Sequence, residues 1–247
     1  MVAANESPKI DHTEAVGPPS PGPVLAIYAH PDDPEVSCAG TLALWADRGA
    51  DVYLVIATRG EKGTRDPTCD PDDLAATRSL EMTAAAEHLG LAGHEGLGYP
   101  DGELVNTVEL RSRLVHLIRL YRPAIVVAPD PTAVFFGSSY VNHHDHREIG
   151  FAVLDSCAPA SASPLYFPEA GPAHAVPEVY LSGTLAPDTW VDIASTLDRK
   201  VAALSCHRSQ LGDDAGLAGD VVRRRAAAAG TEGGIRLAEA FRVLRLG

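Results

Sequence analysis

Two short segments concentrate the residue types that do chemistry: "AHPDDPE" at 29–35 and "NHHDH" at 142–146. The first places one imidazole and two adjacent carboxylates directly after the apolar run "VLAIYA" (24–29). Adjacent like charges repel, so a turn shaped by structure alone gains nothing from Asp32 beside Asp33. A helix starting near Pro34 explains one of them. With proline at the first helical position, Asp33 is the expected N-cap, facing free N–H groups and the positive end of the helix dipole. That role needs neither His30 nor Asp32. In the second segment His143, His144, Asp145 and His146 are consecutive, and Ile149, Ala152 and Val153 mark the inward face of a following helix. His146 precedes Ile149 by one helical turn and falls on that face. A solvated polar turn would be served as well by Ser or Asn.

Taken together, the segments supply a specific set of parts. His30, Asp33 and His146 offer the two imidazoles and one carboxylate of a tetrahedral zinc site with its fourth position open, the arrangement used by catalytic zinc. Such an ion lowers the pKa of a bound water toward ~7 and so makes a nucleophile at neutral pH. Asp32 is then the spare carboxylate, placed to accept a proton. The cation also offsets the repulsion between the two aspartates.

The surrounding pattern is that of a scaffold able to bring these loops together. The runs "VLAIYA" (24–29) and "DVYLVIAT" (51–58) flank a segment with Cys38, Leu42 and Trp45 at helical spacing. A second helix carries Met82, Ala85, Ala86 and Leu89 and stops at Gly90, and a third carries Leu110, Leu114, Leu117, Ile118 and Tyr121 ahead of the strand "AIVVA" (124–128). "EVYLSG" (178–183), "TWVDI" (189–193) and a helix through Leu197, Val201 and Leu204 continue the alternation, whereas the tail from 221 onward has no clear pattern. Continuous apolar strands alternating with amphipathic helices predict an α/β fold, a mostly parallel sheet covered on both faces. Ligands bind beyond the carboxyl ends of such strands. The loops at 30–33, at "TRGEKGT" (58–64) and at 129–146 are therefore expected on one rim.

Composition narrows the class further. A chain of 247 residues has the length of one α/β domain, expected over 21–247. Residues 1–20, rich in Pro, Gly and polar side chains, read as a disordered leader. The net charge of −13 disfavours nucleic acid and anionic membrane as partners. No signal peptide or bilayer-spanning run is evident. Four scattered cysteines without a C-x-x-C argue against a disulfide framework, so a reducing, cytoplasmic setting is expected. A homo-oligomer is compatible with this composition.

With these residues in view, the sequence resembles the PIG-L/LmbE-type family of zinc-dependent N-acetylglucosamine deacetylases. The resemblance rests on an ordered set: "AHPDDPEVSCAGT", "TRGEKGT", Arg78 with Glu81, "LGYPDGEL" (97–104), "NHHDH" and "KVAALSCHRSQ" (200–210), reaching "AEAFRV" near the C-terminus. It implies a Rossmann-like three-layer αβα sandwich, zinc at His30, Asp33 and His146, and Asp32 as general base. Another divalent ion such as Fe2+ is an alternative to zinc. It further implies that a protonated His143 stabilises the oxyanion, with Asp145 as the carboxylate that tunes it. His144 stands where the family often has proline, which leaves His143 and His144 as rivals for that role. The implied substrate is a small N-acylated molecule, an amino sugar first. The alternatives are a thiol-conjugate or natural-product amide, or a non-catalytic sugar-binding module of the same fold. No G-x-G-x-x-G follows the first strand, which disfavours a nucleotide cofactor.

The remaining candidates carry weaker signals. Arg78 heads the apolar face of its helix and needs an inward partner, either Glu81 or Asp101, or a substrate group. Glu61 and Asp101 are turn residues by local chemistry, yet their place on the rim suggests contacts to sugar hydroxyls. Phe135, Phe136 and Tyr140 are candidates to stack on a sugar or an apolar aglycone. His207 is expected to cap a helix end.

Overall fold

The computed structural model describes residues 22–246, so the expected leader at 1–20 lies outside the described residues. The elements in chain order are β1 (Val24–Tyr28), α1 (Asp33–Ser37), α2 (Ala39–Asp47), β2 (Val52–Thr58), α3 (Pro71–Leu89), β3 (Gly93–Tyr99), α4 (Val108–Tyr121) and β4 (Ile125–Pro129). A short hairpin of β5 (Phe135–Phe136) and β6 (Tyr140–Val141) precedes α5 (His144–Asp155), β7 (Glu178–Ser182) and β8 (Thr189–Asp192). The chain closes with α6 (Leu197–Leu204), α7 (Arg208–Leu211), α8 (Ala215–Glu232) and β9 (Ala238–Arg245).

The main sheet has seven strands in the order β3-β2-β1-β4-β7-β9-β8. The first five run parallel, and β9 lies antiparallel between β7 and β8. Strand periodicity divides the core. Val24, Ala26 and Tyr28 face one layer with Leu42 and Trp45 of α2, Leu197 and Leu204 of α6 and Val222 of α8. Leu25 and Ile27 face the other, with Leu110, Leu114 and Ile118 of α4 and Ile149, Ala152 and Val153 of α5. Each fully buried aliphatic side chain of this kind stabilises the fold by about 1.5–3 kcal/mol. The result is the expected α/β sandwich with a mostly parallel sheet.

The helices end where local chemistry ends them. Asp70 caps α3 by accepting from the backbone N–H groups of Asp72 and Asp73, and Gly90 closes it in the left-handed conformation. Thr107 caps α4 through Leu110 N–H. Two elements escape the sequence pattern: β3, "GHEGLGY", a glycine-rich edge strand, and the pair α8 and β9 that the tail forms. No helix among the described residues is long and apolar enough to cross a membrane.

Candidate active site

The rim at the carboxyl ends of β1, β2, β3 and β4 gathers the chemistry. His30 lies two residues past β1, and its ring is held from behind: Nε2 donates to Asp101 Oδ1 at 3.1 Å and lies 3.3 Å from Asp145 Oδ2. Burial opposes ionisation of both carboxylates, but contact with His30 and with backbone N–H groups lowers their pKa values below the usual range. Two such acceptors place the proton on Nε2 and leave the lone pair on Nδ1. His146, in the first turn of α5, is oriented in the same way by Asn142. The Asn142 side chain donates through Nδ2 to Ala133 O at 2.8 Å, so its Oδ1, 2.9 Å away, accepts from His146 Nδ1–H. His146 therefore presents the lone pair of Nε2.

These two lone pairs face each other. His30 Nδ1 and His146 Nε2 are 3.1 Å apart, and the Asp33 carboxylate closes the triangle with both oxygens, Oδ1 at 3.0 Å from His146 Nε2 and Oδ2 at 3.4 Å from His30 Nδ1. Zinc bonds of ~2.0–2.1 Å put neighbouring tetrahedral ligands about 3.3–3.4 Å apart, so the triangle has the dimensions of one shared cation. The electrostatics agree. Burial opposes a charge on His30, yet Asp33, Asp101 and Asp145 override it and push its pKa up to about 12. The cluster calls for positive charge, and a divalent ion supplies more of it than one proton.

Two other groupings bring ligand atoms within 4.8 Å of one another: His30 with His143 and His146, and His30 with Asp101 and Asp145. In the first, His143 Nδ1 accepts Asp145 N–H at 3.2 Å, which leaves a donor N–H on Nε2 instead of a lone pair. In the second, the carboxylates already accept from His30 Nε2. Asp33 is the better third ligand on both counts.

The structure revises several expectations. Helix α1 begins at Asp33, so the N-cap is Asp32, and neither aspartate caps the helix with its side chain. Asp32 Oδ1 accepts from Arg78 Nη2 at 2.7 Å, while Asp33 Oδ2 accepts from His30 N at 2.7 Å. The protein partner of Arg78 is thus Asp32, together with Gly60 O at 2.8 Å, and neither Glu81 nor Asp101; its guanidinium braces the aspartate. Glu61 is buried and accepts from Asp101 N at 3.1 Å, and Asp101 is engaged by His30. Both are engaged within the protein and support the cluster from behind.

The roles of the second segment also change. Burial and the neighbouring His30 lower the pKa of His143, and its Nδ1 accepts from Asp145 N–H, which favours a neutral ring over the protonated one the resemblance implies. The Asp145 carboxylate turns away to His30 and to Gly102 and Leu104 N–H at 2.7 and 3.2 Å; only its backbone N–H holds His143. Of the two rivals, His143 packs 4.7 Å from the His30 ring, and His144 is exposed with no ring contact to the cluster among the described residues. Tyr140 lies on the exposed hairpin, its ring 5.9 Å from that of Phe136. His207 sits at the N-cap of α7 rather than as a positive end-cap, and its side chain makes no capping bond: it is fully buried, 3.3 Å from Glu35. Asn142, and the Glu35–His207 pair behind the aspartates, were missed from sequence. The neighbouring histidine at i+4 from Asn142 was the available signal for the former.

A cavity of about 670 Å3 opens from this cluster, lined at one end by Asp32, Asp33 and His146 and walled by Phe136, Tyr140 and residues of α8.

Loops at the carboxyl edge of a mostly parallel α/β sheet bring together two histidines and a carboxylate, beside a second carboxylate and a cleft, the place where such folds carry their ligand sites. Residues 25–157 match the family model PIG-L, described as GlcNAc-PI de-N-acetylase. The chain belongs to this family. It is 34% identical over 194 residues to the diacetylchitobiose deacetylase of Thermococcus kodakarensis, covering 77% of this chain and 71% of that protein. It is 30% identical over 239 residues to 1D-myo-inositol 2-acetamido-2-deoxy-alpha-D-glucopyranoside deacetylase 2 of Saccharopolyspora erythraea, covering 78% of this chain and 85% of the relative. Against some further deacetylases of the latter kind it spans 44% to 65% of the relative's length. Among solved structures, the N,N'-diacetylchitobiose deacetylase of Pyrococcus horikoshii superposes with a TM-score of 0.82 at 32% identity, covering 90% of this chain and 83% of that one.

Proposed function

We propose that the protein is a hydrolase that removes the N-acetyl group from an amino sugar or its glycoside, using a divalent cation, zinc by donor chemistry, held by His30, Asp33 and His146. The observation that carries this reading is the pair of imidazole lone pairs and the carboxylate converging at 3.0–3.4 Å, with Asp32 beside them. Similarity to proteins named as deacetylases of N-acetylated sugars supports the substrate class.

A cation in that triangle would polarise the amide carbonyl and acidify a water. Asp32 is suited to proton transfer. Arg78 holds Oδ1, while Oδ2 has no hydrogen-bond partner among the described residues and the side chain lines the cavity. It takes the proton of the attacking water and returns it to the nitrogen as the C–N bond breaks, so that the amine leaves neutral. With Nδ1 accepting from Asp145 N–H, His143 keeps Nε2–H as a donor and is suited to stabilise the oxyanion by a hydrogen bond. Asp101, Asp145 and Asn142 fix ring orientation and tautomer for the two histidines.

The test is metal analysis of the purified protein alongside amine release from N-acetylglucosamine, its phosphates and its inositol glycoside. Stoichiometric zinc or iron with amine release that Asp32→Asn abolishes supports the reading. A protein that holds no divalent ion, or that releases no amine from any of these, overturns it.

A further inference from the structure

The cavity that starts at the cluster extends well beyond the space one acetamido group fills. Its volume of about 670 Å3 lies in the range that buries a drug-sized ligand. The far end is built by α8 and β9, with Val222, Ala226 and Ala229 of α8 and Ala238 and Ala240 of β9 contributing small apolar surface. Set into this wall are charged side chains, and nearly all have partners. Asp32 is bound to Arg78, and Asp33 to His30 and His146. Asp130 accepts from Thr132 N and Oγ1 at 2.8 and 2.6 Å. Glu239 is paired with Lys200 and also accepts from Gly40 and Thr41 N–H.

Arg225 is the exception. It lines the same cavity from α8, yet it makes no hydrogen bond or ion pair among the described residues. Arg223, two positions earlier, is committed to Asp198 at 2.8 Å. Exposed on α8 at the rim of the cleft, Arg225 is the one cavity-lining charge among the described residues without a partner, and its sign is positive in a chain of net charge −13. Guanidinium binds carboxylate and phosphate through paired N–H donors, with strength and geometry that a hydroxyl cannot match.

We infer that Arg225 is a specificity residue, and that the preferred substrate is an N-acetyl amino sugar carrying an anionic substituent, a carboxylate or phosphate, that reaches along the cleft to α8. The inference rests on the deacetylase reading for the identity of the sugar, and on the cleft alone for the anion. The small alanine-lined wall suits a short linker between ring and anion, and an acyl amide at the cluster sets the ligand's direction.

The experiment compares N-acetylglucosamine with N-acetylglucosamine 1-phosphate, N-acetylglucosamine 6-phosphate and N-acetylmuramic acid on the zinc-loaded full chain. Amine release gives kcat and KM. Calorimetric titration with the deacetylated sugars gives affinity without turnover, and the phosphate and carboxylate arms separate the two anion sources. The expected result is a preference of about ten-fold or more for one anionic sugar, carried by KM and by affinity and weakened by salt. Arg225→Ala brings that sugar down to the level of the neutral one, Arg225→Lys retains part of the preference, and Arg225→Glu reverses it. Equal binding of neutral and anionic sugars, or a preference that survives Arg225→Ala, overturns the inference. An anion preference in calorimetry without amine release from any sugar leaves the inference standing and overturns the deacetylase reading. Amine release without preference does the opposite.

Discussion

His30 Nδ1 and His146 Nε2 stand 3.1 Å apart with their outer nitrogens both committed, one to Asp101 and Asp145 and the other to Asn142. Without a metal ion, the raised pKa of His30 lets its Nδ1 carry a proton shared with His146 Nε2; under the proposed reading a divalent ion takes the place of that proton and also engages the Asp33 carboxylate. Removing the ion should therefore destabilise the fold as well as stop catalysis. Chelation followed by differential scanning calorimetry is expected to lower Tm by about 5 °C or more, restored by one equivalent of zinc. An unchanged Tm in a protein shown to have lost its metal contradicts this.

Asn142 lies outside the ligand set, yet its effect on the metal should be measurable. It supplies the only acceptor for His146 Nδ1–H among the described residues, and its own amide is fixed by Ala133 O. Asn142→Ala is expected to weaken zinc affinity about 10–100-fold while the ligands stay in place. Competition with a chromophoric chelator reads this directly, and affinity within two-fold of wild type would remove the role.

Asp32 separates binding from chemistry. Held by Arg78 at 2.7 Å, it is not one of the triangle's three ligands. Asp32→Ala should retain a full equivalent of metal and lose on the order of 10² or more in kcat. Arg78→Met tests the brace independently. It leaves Asp32 present but unheld, and a drop in kcat at constant metal content is expected. Should Asp32→Ala instead bleed metal, Asp32 would belong among the ligands.

These assignments were unequally visible in the sequence. The apolar runs that became β1, β4 and, apart from Tyr53, β2 are buried throughout, and burial on both faces is what makes a strand legible as an unbroken hydrophobic stretch. Strand β3 pairs only with β2 and is largely glycine and polar residues, so no periodicity marked it. Strand β9 was hidden because its place between β7 and β8 depends on antiparallel pairings with distant strands. Among the candidate site residues, His30, Asp33 and His146, which the structure brings together, stood out because His beside Asp at a strand end has few structural uses. The contacts that hold Asp32 and the His30 ring join positions 46 to 115 residues apart, Arg78 with Asp32 and His30 with Asp101 and Asp145, and residue type alone does not choose between partners so far apart.

The buried pair behind the aspartates yields a prediction about pH. His207 Nε2 lies 3.3 Å from Glu35 Oε2, both side chains almost wholly enclosed, and neither forms an aligned hydrogen bond with any described residue. Burial alone would depress the His207 pKa, but Glu35, with Asp32 and Glu81 also facing the ring, raises it above the ordinary 6.5. A folded-state pKa above the unfolded one means that the contribution to stability is complete below about pH 6.5 and fades as pH rises through the folded value. Urea denaturation of wild type and His207→Gln should therefore show a stability difference that is largest near pH 6 and shrinks steadily toward pH 9. At low pH the variant leaves Glu35 buried without its counter-charge, a loss of about 3–5 kcal/mol for a broken buried pair. Glu35→Gln should flatten the same pH dependence from the other side. A gap between wild type and His207→Gln that stays constant across this range would mean that His207 is neutral in the folded protein and packs there only for its shape.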